Sequence, residues 1–149
     1  MTVVRSAGDV DLAALERPLE RICQNCDQQG ACRRDKCLAG FARQVLKYAR
    51  LKGALDVPGA RSLIPLDDFK PYGQDLVAAG LAETLRQCRE CRDNHSPDCV
   101  IALVRTCLES TVLPENIDYP GSVFLYLVRV KEQNPELAAL LAREVKKGS

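Results

Sequence analysis

The chain repeats one arrangement of cysteines. Cys23-x2-Cys26 is followed by Cys32 and Cys37, and Cys88-x2-Cys91 is followed by His95 and Cys99, the only histidine of the 149 residues falling inside the second group. A Cys-x2-Cys pair lets two sulfurs converge on one ion from a single turn, and ligands from the following loop and helix start complete a tetrahedron. The fold must therefore gather the flanks of two short polar segments, QNCDQQGACRRDK and RECRDNHSPD, each to one point.

The sequence around both segments has helical periodicity. Leu12, Leu15, Leu19 and Ile22 form one stripe, with Asp9 or Asp11 as its cap and Pro18 as a break or kink. Leu38, Phe41, Ala42, Val45, Leu46 and Ala49 form a second, ended by Gly53. Further stripes run through Val77, Gly80, Leu81, Thr84, Leu85 and Cys88, and through Val100, Leu103, Val104, Cys107 and Leu108. Between them, 54–71 carries enough proline and glycine to read as a connector outside the core. Ser122 can cap a helix from Val123 to about Gln133; its β-forming residues allow a strand, but no partner strand is visible. Asn134, Pro135 and Glu136 signal the start of a last helix bearing Leu137, Leu140, Leu141 and Val145.

These elements predict a single all-α domain. Two metal-clasped helix-turn-helix units, about 9–53 and 72–113, pack as a bundle closed by one or two helices in 120–147. Aligning Cys37 with Cys99 pairs CLAGFAR with CVIALVR, matching the apolar positions and the final arginine, which leads to the expectation of an internal duplication.

At this length a core can form without crosslinks, so the cysteines are not needed to rescue a small fold. The opening residues MTVVRSAGDVDLAALERPLE carry early acids and no apolar run, and the apolar stretch Val123 to Val128 is far short of the ~20 residues of a spanning helix. The expectation is a cytoplasmic protein with no membrane contact, in a reducing compartment that favours metal ligands over disulfides. The expected ligands are Cys23, Cys26, Cys32 and Cys37 at one site, and Cys88, Cys91, His95 and Cys99 at the other. Both sets are closed, which suits a structural role. Two Zn2+ ions are preferred for the mixed thiolate and imidazole set. One or two iron-sulfur clusters are the alternative, although neither half has the ferredoxin cysteine run. Cys107, two turns beyond Cys99 on an apolar stripe, reads as core, with a reserve role as fourth ligand in place of His95.

No acid/base pair, phosphate loop or triad stands out, so the reading leans away from an enzyme. The expected function is that of an adaptor or regulatory factor acting through protein contacts; an iron-sulfur accessory or electron-transfer protein is the alternative. Tyr119 to Val130 has apolar residues on more than one face, giving either a central helix or a contact with a partner or second copy. A second alternative is a nucleic-acid-binding regulator using the helix 36–52, where Lys36, Arg43, Lys47 and Arg50 share a face. A net charge of +1 and only seven aromatics weigh against it.

Overall fold

The computed structural model describes residues 11–24, 37–54, 56–66, 68, 72–88, 99–117, 120 and 122–147. Their regular structure is helical: α1 Leu12–Gln24, α2 Leu38–Lys52, a 3-10 turn Ala60–Leu63, α3 Gln74–Cys88, α4 Val100–Val112, α5 Val123–Gln133 and α6 Pro135–Lys147. Helices α1, α5 and α6 begin, and α2 ends, on the expected signals. Asp11 Oδ1 accepts from Ala14 N at 3.0 Å, Ser122 Oγ from Leu125 N at 3.4 Å and Asn134 Oδ1 from Leu137 N at 3.1 Å. Each satisfies a donor that a helix start leaves without an intrahelical partner. Gly53 ends α2 with φ 64° and donates to Ala49 O at 2.9 Å, a left-handed cap that costs glycine no Cβ clash. Pro18, by contrast, does not end α1, which continues to Gln24 with Pro18 buried on its inner face.

Contacts at the helix ends set the directions. Asp11 N and O both bond the Gln87 side chain, at 3.1 and 3.2 Å, so α1 runs antiparallel to α3. Glu16 on α1 pairs with Arg43 at 3.7 Å and Arg50 at 2.6 Å on α2, across an antiparallel hairpin. A backbone bridge joins Asp56, just past α2, to Cys99 at the start of α4, which makes α2 and α4 antiparallel. Helices α2 and α3 therefore run in the same direction, and the chain between them must return along the bundle. This accounts for the long connector, since a 15-residue helix is about 22 Å long.

The connector departs from the expectation of a segment outside the core: Ala60 and Ile64 are buried within it. The two hairpins, α1–α2 and α3–α4, thus pack head to tail, with their turns at opposite ends. Helix α4 is the most enclosed, with every residue from Val100 to Glu109 buried, as a helix apolar on nearly all sides requires. Helix α6 runs beside α3, its end held by Arg86 Nη2 donating to Glu144 O at 2.7 Å.

Gly80 of α3 sits close to both α1 and α4. A Cβ there would lie 2.7 Å from Leu108 Cδ1 and 3.5 Å from Pro18 Cβ. Leu108 is itself buried in the core, so its side chain can give way only by displacing other packed groups. Gly80→Ala is expected to lower stability by about 1 kcal/mol in urea unfolding, with overpacking exceeding the gain in helix propensity. An unchanged or raised midpoint would show that the contact relaxes freely.

Helix α5 is neither fully buried nor wholly a surface element. Tyr126 and Val130 face the core, whereas Phe124, Leu125 and Val128 are 71, 48 and 42 % exposed. Among the described residues, no helix is long and apolar enough to cross a membrane.

Candidate metal centres

Four of the expected ligand positions fall on described helix ends. Cys23 lies in the last turn of α1 and Cys37 at the N-cap of α2; Cys88 is the last residue of α3 and Cys99 the N-cap of α4. Each hairpin turn is thus entered and left at a cysteine. Cys26, Cys32, Cys91 and His95 lie outside the described residues, as does Lys36 of the basic face. Among the described residues no group of three or more His, Cys, Asp or Glu is placed to hold a metal ion.

Neither N-cap cysteine caps its own helix through its sulfur. At α2 the capping role is taken from the connector: Asp68 Oδ2 accepts from Leu38 N at 2.9 Å. The same oxygen accepts from the Tyr72 hydroxyl, whose oxygen stands 3.3 Å from Cys37 Sγ. A carboxylate and a sulfur therefore share the positive end of α2, where negative charge is favoured. Burial first, and then the bonds to Asp68 and Cys37, hold the Tyr72 phenol protonated far above its usual range. Its O–H is a permanent donor.

Arg43 serves the Cys23 side of the same turn. Its bond to the Cys23 sulfur is the largest cause raising the guanidinium above its ordinary value; burial opposes this, while the charges of Cys23, Glu16 and Glu20 add to it. In the second hairpin the corresponding position is Arg105, six residues after Cys99 as Arg43 is six after Cys37. On the basic face of α2, Glu16 engages both Arg43 and Arg50, and Lys47 is exposed.

Cys107 is fully buried among the core residues, in the place expected of it. Its thiol is pushed up, chiefly by burial and then by the charge of nearby Cys37. It lies eight residues beyond Cys99, a rise of about 12 Å along α4 toward the opposite end of the bundle. That placement argues against a tetrahedron shared with Cys99, for which the sulfurs must sit within a few ångströms of one another.

One polar cluster was not foreseen. Glu109, fully buried on α4, accepts from Tyr126 Oη at 2.5 Å, Ile117 N at 3.1 Å and Asn116 Nδ2 at 3.3 Å, and lies 3.7 Å from Arg105 Nε. Burial raises its pKa, opposed by Tyr126, Arg105, Ile117 and Asn116 in that order. The signal available in the sequence is the pair Arg105 and Glu109 at i,i+4 within an otherwise apolar helix, since charges on a helix with no exposed face must satisfy each other. The cluster anchors α5 and the 113–117 segment to α4, and has the character of a structural network.

Comparison of the chain with protein-family models, with curated proteins and with solved structures gave no significant match in any of the three.

Proposed function

We propose that this chain is a metal-binding protein with two structural centres, one at each hairpin turn, and that it acts through protein contacts as an adaptor or regulatory factor. The first centre takes Cys23, Cys26, Cys32 and Cys37, and the second Cys88, Cys91, His95 and Cys99. The observation that carries the reading is the placement of cysteines at both helix ends of each turn, with the charged and hydroxyl partners of a thiolate ligand already at the first: Arg43 on Cys23 and Tyr72 on Cys37. A closed set of four ligands leaves no coordination position for substrate, which fits a structural role.

Zinc is the ion proposed, because the imidazole in the second set suits it and both sets are tetrahedral in number. The turns stand at opposite ends of helices about 20 Å long, so the ions would be held independently and not as a binuclear pair. We further propose that the hairpins arose by duplication. In favour are the matched N-cap cysteines, the matched Arg43 and Arg105, the match of Val45 with Cys107 and the head-to-tail packing of like elements. The exposed Phe124, Leu125 and Val128 of α5 favour this helix as the contact face for a protein partner.

Serine variants test the assignment of ligands. Cys26→Ser is expected to lower the metal content by one ion per chain and Cys91→Ser to remove the other, each leaving its counterpart filled. Loss of both ions from either variant, or of neither, would contradict two independent centres.

A further inference from the structure

The connector reaches into the first centre from a part of the sequence that carries no cysteine. Tyr72 Oη lies 3.3 Å from Cys37 Sγ, and its hydroxyl donates to Asp68 Oδ2, which also accepts the Leu38 N–H at 2.9 Å. The three groups form a relay, from the sulfur through the phenol to the carboxylate, built on the first residues of α2. We propose that Tyr72 is the hydrogen-bond donor to the metal-bound sulfur of Cys37, and that Asp68 is the residue that positions it, so that the connector supplies the outer sphere of the first centre. The inference rests on Cys37 being a ligand.

A phenol carries one hydrogen, given to one acceptor or shared between two, while its oxygen accepts from another donor. With Cys37 as a thiol, S–H donates to the Tyr72 oxygen and the phenol hydrogen goes to Asp68. Ligation removes the sulfur's hydrogen to bulk water and turns the sulfur into an acceptor. The phenol hydrogen then lies between two acceptors, shared by the sulfur and Asp68, and Asp68 keeps the Leu38 N–H. This reversal needs no movement of the backbone. A hydrogen bond to a ligating sulfur fixes its direction and draws electron density from it, and outer-shell partners of this kind change metal affinity by about 10- to 100-fold. At the second centre the connector meets Cys99 through a backbone bridge from Asp56, a contact that substitution of Tyr72 leaves in place.

The test is Co2+ binding to the full chain in a Cys88→Ser, Cys91→Ser background, in which the first centre alone fills. Removing the hydrogen bond raises the energy of the sulfur electrons, so Tyr72→Phe is expected to move the thiolate-to-cobalt band to longer wavelength. It should also weaken binding about tenfold in competition with a chelator. Asp68→Asn keeps an acceptor for Leu38 N while competing less for the phenol, and is expected to move the band to shorter wavelength. An unshifted band with unchanged affinity in Tyr72→Phe overturns the proposal while the assignment of Cys37 stands. If Tyr72→Phe does not fold, Asp68→Asn decides, and an unshifted band there overturns it. Absence of a thiolate-to-cobalt band even with Tyr72 and Asp68 intact would overturn the ligand assignment itself, and the proposal with it.

Discussion

Glu109→Ala is expected to lower stability by about 3–5 kcal/mol, the range for removing one member of a buried ion pair. The carboxylate is fully buried and is the acceptor for Tyr126 Oη, Ile117 N and Asn116 Nδ2, besides being paired with Arg105. Alanine leaves those donors and a buried guanidinium facing an apolar gap, and each donor then bears its desolvation cost unmet. Because the donors belong to α4, α5 and the segment between them, α5 should detach early in hydrogen exchange. Glu109→Gln keeps the volume and one carbonyl oxygen and should lose about 1–2 kcal/mol. Urea unfolding of both variants checks this; a loss under 1 kcal/mol for alanine would mean that water reaches the site.

The same residue has a pH signature. Its pKa is raised in the folded protein, so over the window above the ordinary glutamate value the folded state holds more protons than the unfolded chain. Stability from this group is therefore greatest in acid and declines as pH rises from that value toward the folded one. The advantage of the parent protein over Glu109→Gln should shrink as pH rises from about 4, the ordinary glutamate value, through the raised value of the folded state. A gap that widens with pH would reverse the sign of the shift.

Removal of metal is the second large effect. Neither QNCDQQGACRRDK nor RECRDNHSPD has enough apolar residues to order itself by burial, so on the proposed reading ligation supplies the missing free energy there. An ion present at about a thousand times its dissociation constant stabilises the folded state by roughly 4 kcal/mol. For a chain of this size that corresponds to a fall in Tm on the order of 10 °C on complete chelation. Cys26→Ser should produce part of the same fall. Far-UV circular dichroism at low temperature should remain helical, because the contacts among α1, α2, α3 and α4 are made by core side chains spread along the length of the helices. An unchanged melting curve after complete metal removal would contradict the role assigned to the turns.

Most of the helices were legible because their signals are local. Asp11, Ser122 and Asn134 act as caps within three residues of the donors they serve, and Gly53 stops α2 for a reason contained in its own φ. The burial of Cys107 followed from its place on an apolar stripe. Pro18 was harder to read, since proline in a helix interior removes a donor but does not by itself decide whether packing carries the helix through. The connector was misread because composition does not reveal a path: its proline and glycine content marked a loop, yet two parallel helices force it back along the bundle, where Ala60 and Ile64 become buried. Of the proposed first centre, spacing picks out the candidate cysteines, whereas Asp68 and Tyr72 reach Leu38 and Cys37 across long sequence separations that no local pattern encodes. The Arg43 bond to Cys23 was half visible, through the arginine shared by CLAGFAR and CVIALVR.

Metal analysis together with a visible spectrum, on full-length protein purified without oxygen, tests the two-centre reading most directly. Two zinc ions per chain, a colourless solution and thiols that react only after the metal is displaced are the predicted result. Metal-free protein that keeps its native melting curve, with all eight cysteines reactive or accounted for without an ion, would contradict it.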